Sequence, residues 1–337
     1  MYTPNETSDS FADMAFLARA FQLSRMIHVA AALELADRIT EDSKPITALA
    51  LEAGAEPAML LRLCRALAAF GIFAVDNDGN LSQTARSMHL RQTTAPTLYH
   101  AARYQGLPHL AASWARLEHS VRSGESAFEA EHGMTSFEYL KTHPEAAARF
   151  DAFMQNSPDD RHAAVAEAYD FSDAGLVVDI GGGNGALLAA ILTANPHTRG
   201  LLFDQAHVVS GAADVLAAFA GRWQTATGSF FQSVPDAGDL YTMSQILHDW
   251  SDRECLTILG NLGQSMRQGT RLLIVERLLE DHSNPMIYLT DINMMVNLQG
   301  RERTLGEFTD LLTQTGFSAP LVIRTRSSFC ILETFSL

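Results

Sequence analysis

Apolar residues near the start of the chain recur at three- and four-residue steps. Phe11, Met14, Leu17 and Phe21 are followed on the same face by Ile27, Ala31 and Leu35. This spacing predicts a long amphipathic helix over 11–39. Pro45 opens a short helical run that stops at Gly54. Pro57 stands at the head of a second, over 58–70, that stops at Gly71. The apolar run 72–75, the turn residues Asn77-Asp78-Gly79-Asn80 and then Leu81 predict a hairpin. Two short helices followed by a hairpin make a winged-helix pattern. Residues 91–170 read as mainly helical, with breaks at Pro108, Gly124, Gly133 and Pro144.

The pattern changes at Leu176. Strand-like runs rich in apolar residues at 176–180, 200–203, 240–247 and 272–275 alternate with helical stretches. That alternation predicts an α/β fold, a parallel sheet covered on both faces. The final runs, 321–324 and 329–334, are joined by a polar turn too short for a crossover helix. The last strand should therefore be antiparallel to its neighbour.

Composition narrows the function classes. The 337 residues are 47% hydrophobic and 19% charged, enough apolar material for an ordinary core. A net charge of −15 repels phosphate backbones and disfavours nucleic acid as a partner. The winged-helix pattern does not reverse this. Helix 58–70 carries only Arg62 and Arg65 as cations, and Leu60, Leu61, Leu63, Leu67 and Phe70 dominate it. A groove-reading helix needs a polar, basic face, so packing or dimerisation is expected instead. Cys64, Cys255 and Cys330 are odd in number and far apart, which fits a reducing, cytoplasmic setting. Residues 1–10 are polar and lack the apolar segment of a signal peptide. No stretch approaches ~18 uninterrupted apolar residues, so no membrane span is expected.

The candidate chemistry starts at Val177-Val178-Asp179-Ile180-Gly181-Gly182-Gly183-Asn184-Gly185, with Asp204 at the end of the next strand. Strand, glycine turn, helix and strand-end acid are the layout of a nucleotide site in a doubly wound sheet. Gly181, Gly183 and Ala186 fit a dinucleotide turn, whereas Gly181, Gly183 and Gly185 fit that of S-adenosylmethionine (SAM). Asp204 serves a ribose diol in either. Asp179 opposes a pyrophosphate but suits a sulfonium and an amino group. With the antiparallel last strand and the site's place late in the chain, it favours SAM. His248 follows the run 240–247, Glu276 ends the run 272–275, and Glu302 precedes a helix. A positioned imidazole can take the proton of a phenol, and a carboxylate on its other ring N–H would fix its tautomer. That carboxylate is expected to be Glu276, with Glu302 steadying the imidazolium.

Taken together, Val177–Gly185, Phe203-Asp204, Gly228-Ser229-Phe230-Phe231, Leu247-His248-Asp249-Trp250, Val275-Glu276, Gly300–Thr304 and Phe150-x-x-Phe153-Met154 carry a resemblance. In order and spacing the chain resembles the SAM-dependent O-methyltransferases of the plant caffeate and bacterial secondary-metabolite type. The resemblance implies a Rossmann-like methyltransferase domain over 171–337, a winged-helix-like dimerisation domain over 1–100, and a helical connecting region over 101–170 that lines the acceptor pocket. It implies His248 as general base, flanked by Glu276 and Glu302. The cofactor set would be Asp179, Gly181, Gly183, Asp204, Gln205, Ser229, Phe230, Phe231 and Ser244. Met154, Asp249, Met294 and Asn297 would meet an aromatic or polyketide-like acceptor. A homodimer, S-adenosylhomocysteine as product and no metal complete the expectation. Methyl transfer to carbon or nitrogen, or loss of methyl transfer with SAM retained, are the alternatives. Ser229 departs from the Asp that many relatives carry there. Its hydroxyl can accept the adenine amino hydrogen bond only without charge assistance.

Overall fold

The computed structural model describes residues 10–40, 42–156, 160–280 and 284–337. The polar start at 1–9 lies outside the described residues. Two compact units emerge, Met1–Ala111 with Leu140–Pro158, and Ala112–Tyr139 with Asp159–Leu337. The segment 101–170, expected as one connecting region, is thus shared between them. Helix Pro144–Gln155 packs on helix Tyr99–Gln105, where Tyr104 meets Phe150 and Phe153 at ring distances of 5.5 and 5.2 Å. Residues 112–139 pack instead on helix Pro285–Asn297: Ser126 Oγ donates to Val296 O (3.2 Å) and Trp114 Nε1 to Asn293 Oδ1 (3.3 Å).

In the first unit the expected long helix is three pieces, Ser10–Leu17, Ala20–Ala32 and Leu35–Arg38. Apolar periodicity runs through both breaks and so could not reveal them; at the second, Glu34 takes a left-handed conformation (φ 55°). The first piece buries nothing within the chain, and Phe11 is 81% exposed. The winged-helix pattern forms as expected. Helices Ile46–Ala53 and Pro57–Ala69 stand beside strands β1 (Lys44–Pro45), β2 (Phe73–Val75) and β3 (Asn80–Gln83), paired in the antiparallel order β1-β3-β2. Leu60, Cys64 and Leu67 of the second helix are buried in this unit's core, so that face is closed to a nucleic-acid groove.

The second unit holds a seven-stranded sheet. Its strands are β4 (Leu176–Ile180), β5 (Arg199–Asp204), β6 (Trp223–Thr227), β7 (Leu240–Ser244), β8 (Arg271–Glu276), β9 (Leu321–Arg324) and β10 (Cys330–Phe335). The order is β6-β5-β4-β7-β8-β10-β9, parallel from β6 to β8, with β10 antiparallel to both its neighbours. Strand β6 escaped the sequence reading because Trp223-Gln224-Thr225-Ala226-Thr227 is a half-exposed edge without an apolar run. Alternate residues feed two cores. Val178, Ile180, Tyr241, Met243, Leu272 and Ile274 face one side, while Val177, Leu240, Leu273 and Val275 face the other. Strand order reverses between β4 and β7, and ligands of open α/β sheets bind at such a switch, beyond the carboxyl ends of the strands. No helix among the described residues is long and apolar enough to cross a membrane.

Candidate active site

The glycine turn leaves β4 at the switch point. Gly181 (φ 66°) donates its N–H to Phe203 O (2.8 Å), and a Cβ there would lie 2.5 Å from Ile246 Cδ1. Gly183 (φ 60°) has only open space where its Cβ would be. A left-handed turn free of side chains lets a ligand reach the backbone. Asp204 closes the turn from β5: its Oδ2 accepts from Gly183 N (3.0 Å) and its Oδ1 from Gln205 N (2.6 Å). Burial pushes the Asp204 carboxyl above its ordinary range against those two hydrogen bonds. Phe230 and Phe231 stand half-buried with Trp250, whose ring meets Phe231 edge-on at 4.7 Å and stacks on Phe137 at 5.5 Å. Ser229 Oγ accepts from Phe231 N (3.3 Å), and Gln205 is exposed.

Asp179, Ser244 and Glu276 lie near the carboxyl ends of the adjacent strands β4, β7 and β8. Each carries a buried oxygen (Asp179 Oδ2, Ser244 Oγ, Glu276 Oε2) with no hydrogen-bond partner among the described residues. Unsatisfied buried polar atoms are rare, and here they line one edge of the sheet beside the open glycine turn. That donor and acceptor set fits the polar, cationic end of SAM. Burial drives the Asp179 carboxyl up to about 7, although Thr242 Oγ1 donates to its Oδ1 (2.7 Å); the nearby Asp204 adds to the rise.

Beyond the end of β7 lies a buried imidazole among three carboxylates. Strand β7 ends at Ser244, three residues short of the expected end. Gln245 turns into the left-handed region (φ 53°), and a short 3-10 turn, Leu247–Asp249, then carries His248. His248 Nδ1 pairs with Glu302 Oε1 at 3.0 Å. Glu276 Oε1 accepts the His248 backbone N–H at 3.4 Å, and Asp249 Oδ1 is 3.4 Å from Nε2. The two glutamates thus exchange the parts expected of them: Glu302 holds the ring, and Glu276 holds the backbone and supplies charge. A strand-end acid one strand away reaches the peptide; the acid that reaches Nδ1 comes from a segment 54 residues further on. Burial opposes the imidazolium. It is outweighed by the charges of Glu276 and Asp249 and by the Glu302 hydrogen bond and charge, which push His248 up to about 10 rather than leaving it near its ordinary value. Burial raises Asp249 to about 6 and Glu276 to about 7, against the pull of His248 in each case. His248, Glu276 and Glu302 also present ligand atoms within 4.8 Å of one another, a spacing that could hold a metal ion, a proximity that motif spacing could not show.

Asp291 is a residue the sequence did not single out. From mid-helix its Oδ1 accepts the Glu302 backbone N–H (3.0 Å) and steadies the segment that grips His248. Met294 and Asn297 are buried on the same helix, where Asn297 Nδ2 donates to Asn293 Oδ1 (2.8 Å). Met154 is half-buried on Pro144–Gln155 in the other unit.

A switch-point glycine turn, an acid placed for a ribose and a carboxylate-held imidazole at the same sheet edge fit a small-molecule methyltransferase. Known proteins of this kind match the chain. A model of the O-methyltransferase domain matches residues 114–318, and one of the O-methyltransferase dimerisation domain matches 16–93. The chain is 38% identical over 316 residues to a phenazine O-methyltransferase, PhzM, of Lysobacter antibioticus, covering 93% of this chain and 92% of that one. It superposes on the mitomycin 7-O-methyltransferase MmcR with a TM-score of 0.93 at 32% identity, over 97% of this chain and 98% of that one. It also superposes on NcsB1, an O-methyltransferase from neocarzinostatin biosynthesis solved with SAM and 2-hydroxy-5-methyl naphthoic acid. There the TM-score is 0.84 at 30% identity, over 94% and 96% of the two chains. The chain belongs to this family: it is a SAM-dependent O-methyltransferase with an N-terminal dimerisation domain.

Proposed function

We propose that this enzyme methylates a phenolic hydroxyl of a planar, fused-ring aromatic acceptor of secondary metabolism, with His248 as general base. The phenazine and naphthoate named for its relatives are flat fused rings. Asp179, the glycines Gly181 and Gly183, Asp204 and Ser244 are the residues that would hold SAM, together with Phe230 and Phe231. Bound SAM supplies an electrophilic methyl group. The protein itself must place the acceptor oxygen and manage its proton.

The observation that carries the reading is the 3.0 Å pairing of His248 Nδ1 with buried Glu302. It leaves Nε2, which Asp249 Oδ1 approaches at 3.4 Å, as the nitrogen that meets the acceptor. A phenol has a pKa of about 10, and moving its proton to an imidazole of ordinary pKa ~6.5 costs about 5 kcal/mol. With His248 raised to about 10, transfer to the neutral ring is close to thermoneutral; near pH 7 most of the ring is imidazolium, so turnover should rise as the pH climbs toward 10. The carboxylates therefore make the imidazole basic enough for a phenol. They also stabilise the imidazolium that faces the developing phenolate.

The match to a dimerisation domain supports a homodimer. The three cysteines are buried and form no disulfide among the described residues, which is consistent with a reducing, cytoplasmic location.

The test is His248→Ala, assayed with labelled SAM and a panel of hydroxylated phenazines, naphthoates and quinones. Turnover should fall ~10²–10⁴-fold with SAM affinity retained, the usual worth of a general base. Near-normal turnover would remove the base assignment. Label recovered on carbon or nitrogen would overturn the choice of oxygen.

A further inference from the structure

Arg303 is fully buried, yet none of its hydrogen bonds goes to the imidazole or to the three carboxylates around it. Its Nη1 donates to Leu247 O (2.6 Å), its Nη2 to Trp250 O (2.7 Å), and both Nε (3.0 Å) and Nη2 (2.8 Å) to Asp252 Oδ1. The two carbonyls bracket His248 in the chain. From behind, the Arg303 carbonyl accepts Leu279 N–H (3.0 Å), which anchors it to the segment leaving β8. The preceding residue, Glu302, holds the His248 ring. Arg301 binds Asp252 Oδ2 and Glu307 Oε1, each at 2.7 Å. Gly300 lies so close to the turn that a Cβ would fall 1.9 Å from His248 O.

From this arrangement we infer that Arg303 is a positioning residue for methyl transfer. Its guanidinium locks the backbone on both sides of His248, so that the ring held by Glu302 presents Nε2 in one direction. The inference rests on His248 being the base. The turn needs such a lock. It follows Gln245, whose left-handed backbone is costly for a non-glycine residue. The guanidinium's planar fork can reach two carbonyls and a carboxylate at once, whereas one ammonium cannot.

The experiment compares Arg303→Met, Arg303→Lys and Asp252→Asn with His248→Ala in the full-length enzyme. Asp252 is half-exposed, so its variant keeps the comparison informative if Arg303→Met does not fold. Steady-state kinetics, SAM calorimetry and pH–rate profiles are read for each. In Arg303→Met, kcat should fall ~10²-fold, the cost of misplacing a reacting group by about 1 Å, while SAM affinity is kept. Arg303→Lys should recover part of that loss. In Arg303→Met the acidic limb of log kcat should also move to lower pH, as the His248 ring loosens from its carboxylates. Asp252→Asn should move kcat and the limb in the same direction by smaller amounts. Folded variants with kcat within about threefold of wild type and an unmoved limb would overturn the inference, leaving Arg303 a structural residue. If His248→Ala is itself near normal, it is the base assignment that fails.

Discussion

Gly300→Ala adds one methyl group at the point where the segment 300–303 docks on the His248 turn. The new Cβ would lie 1.9 Å from His248 O, 2.4 Å from Asp249 C and 2.7 Å from Trp250 N. All three are backbone atoms, so no rotamer change relieves the contact. Real Cβ atoms essentially never approach closer than 3.0 Å. The turn and the segment must therefore part by about 1 Å along the His248 O direction, which is the scale at which a displaced reacting group loses ~10² in rate. The strain of overpacking should cost about 1–3 kcal/mol of stability. Expected together are a ~10²-fold loss in kcat, a lowered melting temperature, and SAM affinity close to wild type, because the glycine turn after β4 is untouched. Gly260→Ala is the control. It lies within helix Asp252–Ser265, nothing stands within 4 Å of its Cβ position, and it should stabilise by up to about 1 kcal/mol. A Gly300→Ala enzyme with wild-type kcat would refute the claim that this docking sets the position of His248.

Two further predictions concern protons. Glu276→Gln keeps an acceptor for the His248 backbone N–H but removes the carboxylate whose charge most raises the imidazole. The acidic limb of log kcat should move about 1–2 units to lower pH, and a limb that stays in place would show that the cluster does not set the base. Asp179 titrates near 7 in the fold, above its value in the unfolded chain, so the folded state binds that proton more tightly. Its ionisation therefore weakens the SAM-free protein progressively from about pH 4 to 7, by at most about 4 kcal/mol, and fully above that. Thermal melts of wild type should lose stability between about pH 4 and 7. Asp179→Asn should flatten that slope, and equal slopes in the two proteins would contradict the prediction.

The glycine turn and the acid that closes it can be read from the chain alone. Gly181, Gly183 and Asp204 are legible because strand, turn and acid are contiguous, and local geometry is enough to place them. The alternating apolar runs likewise reveal the sheet and its antiparallel edge, because strands buried on both faces are predominantly apolar. Edge strand β6 has no such constraint and left no signal. His248, Glu276 and Glu302 were visible as residues, but not which acid holds the ring. That depends on the approach of 300–303 to the turn after β7, a contact made across 54 residues of chain. Asp291 and Arg303 act through backbone groups of that segment and turn. Backbone carbonyls and N–H groups are the same at every position, so no residue pattern marks which of them a side chain will reach. Long-range packing selects them, and with them the basicity and aim of the imidazole.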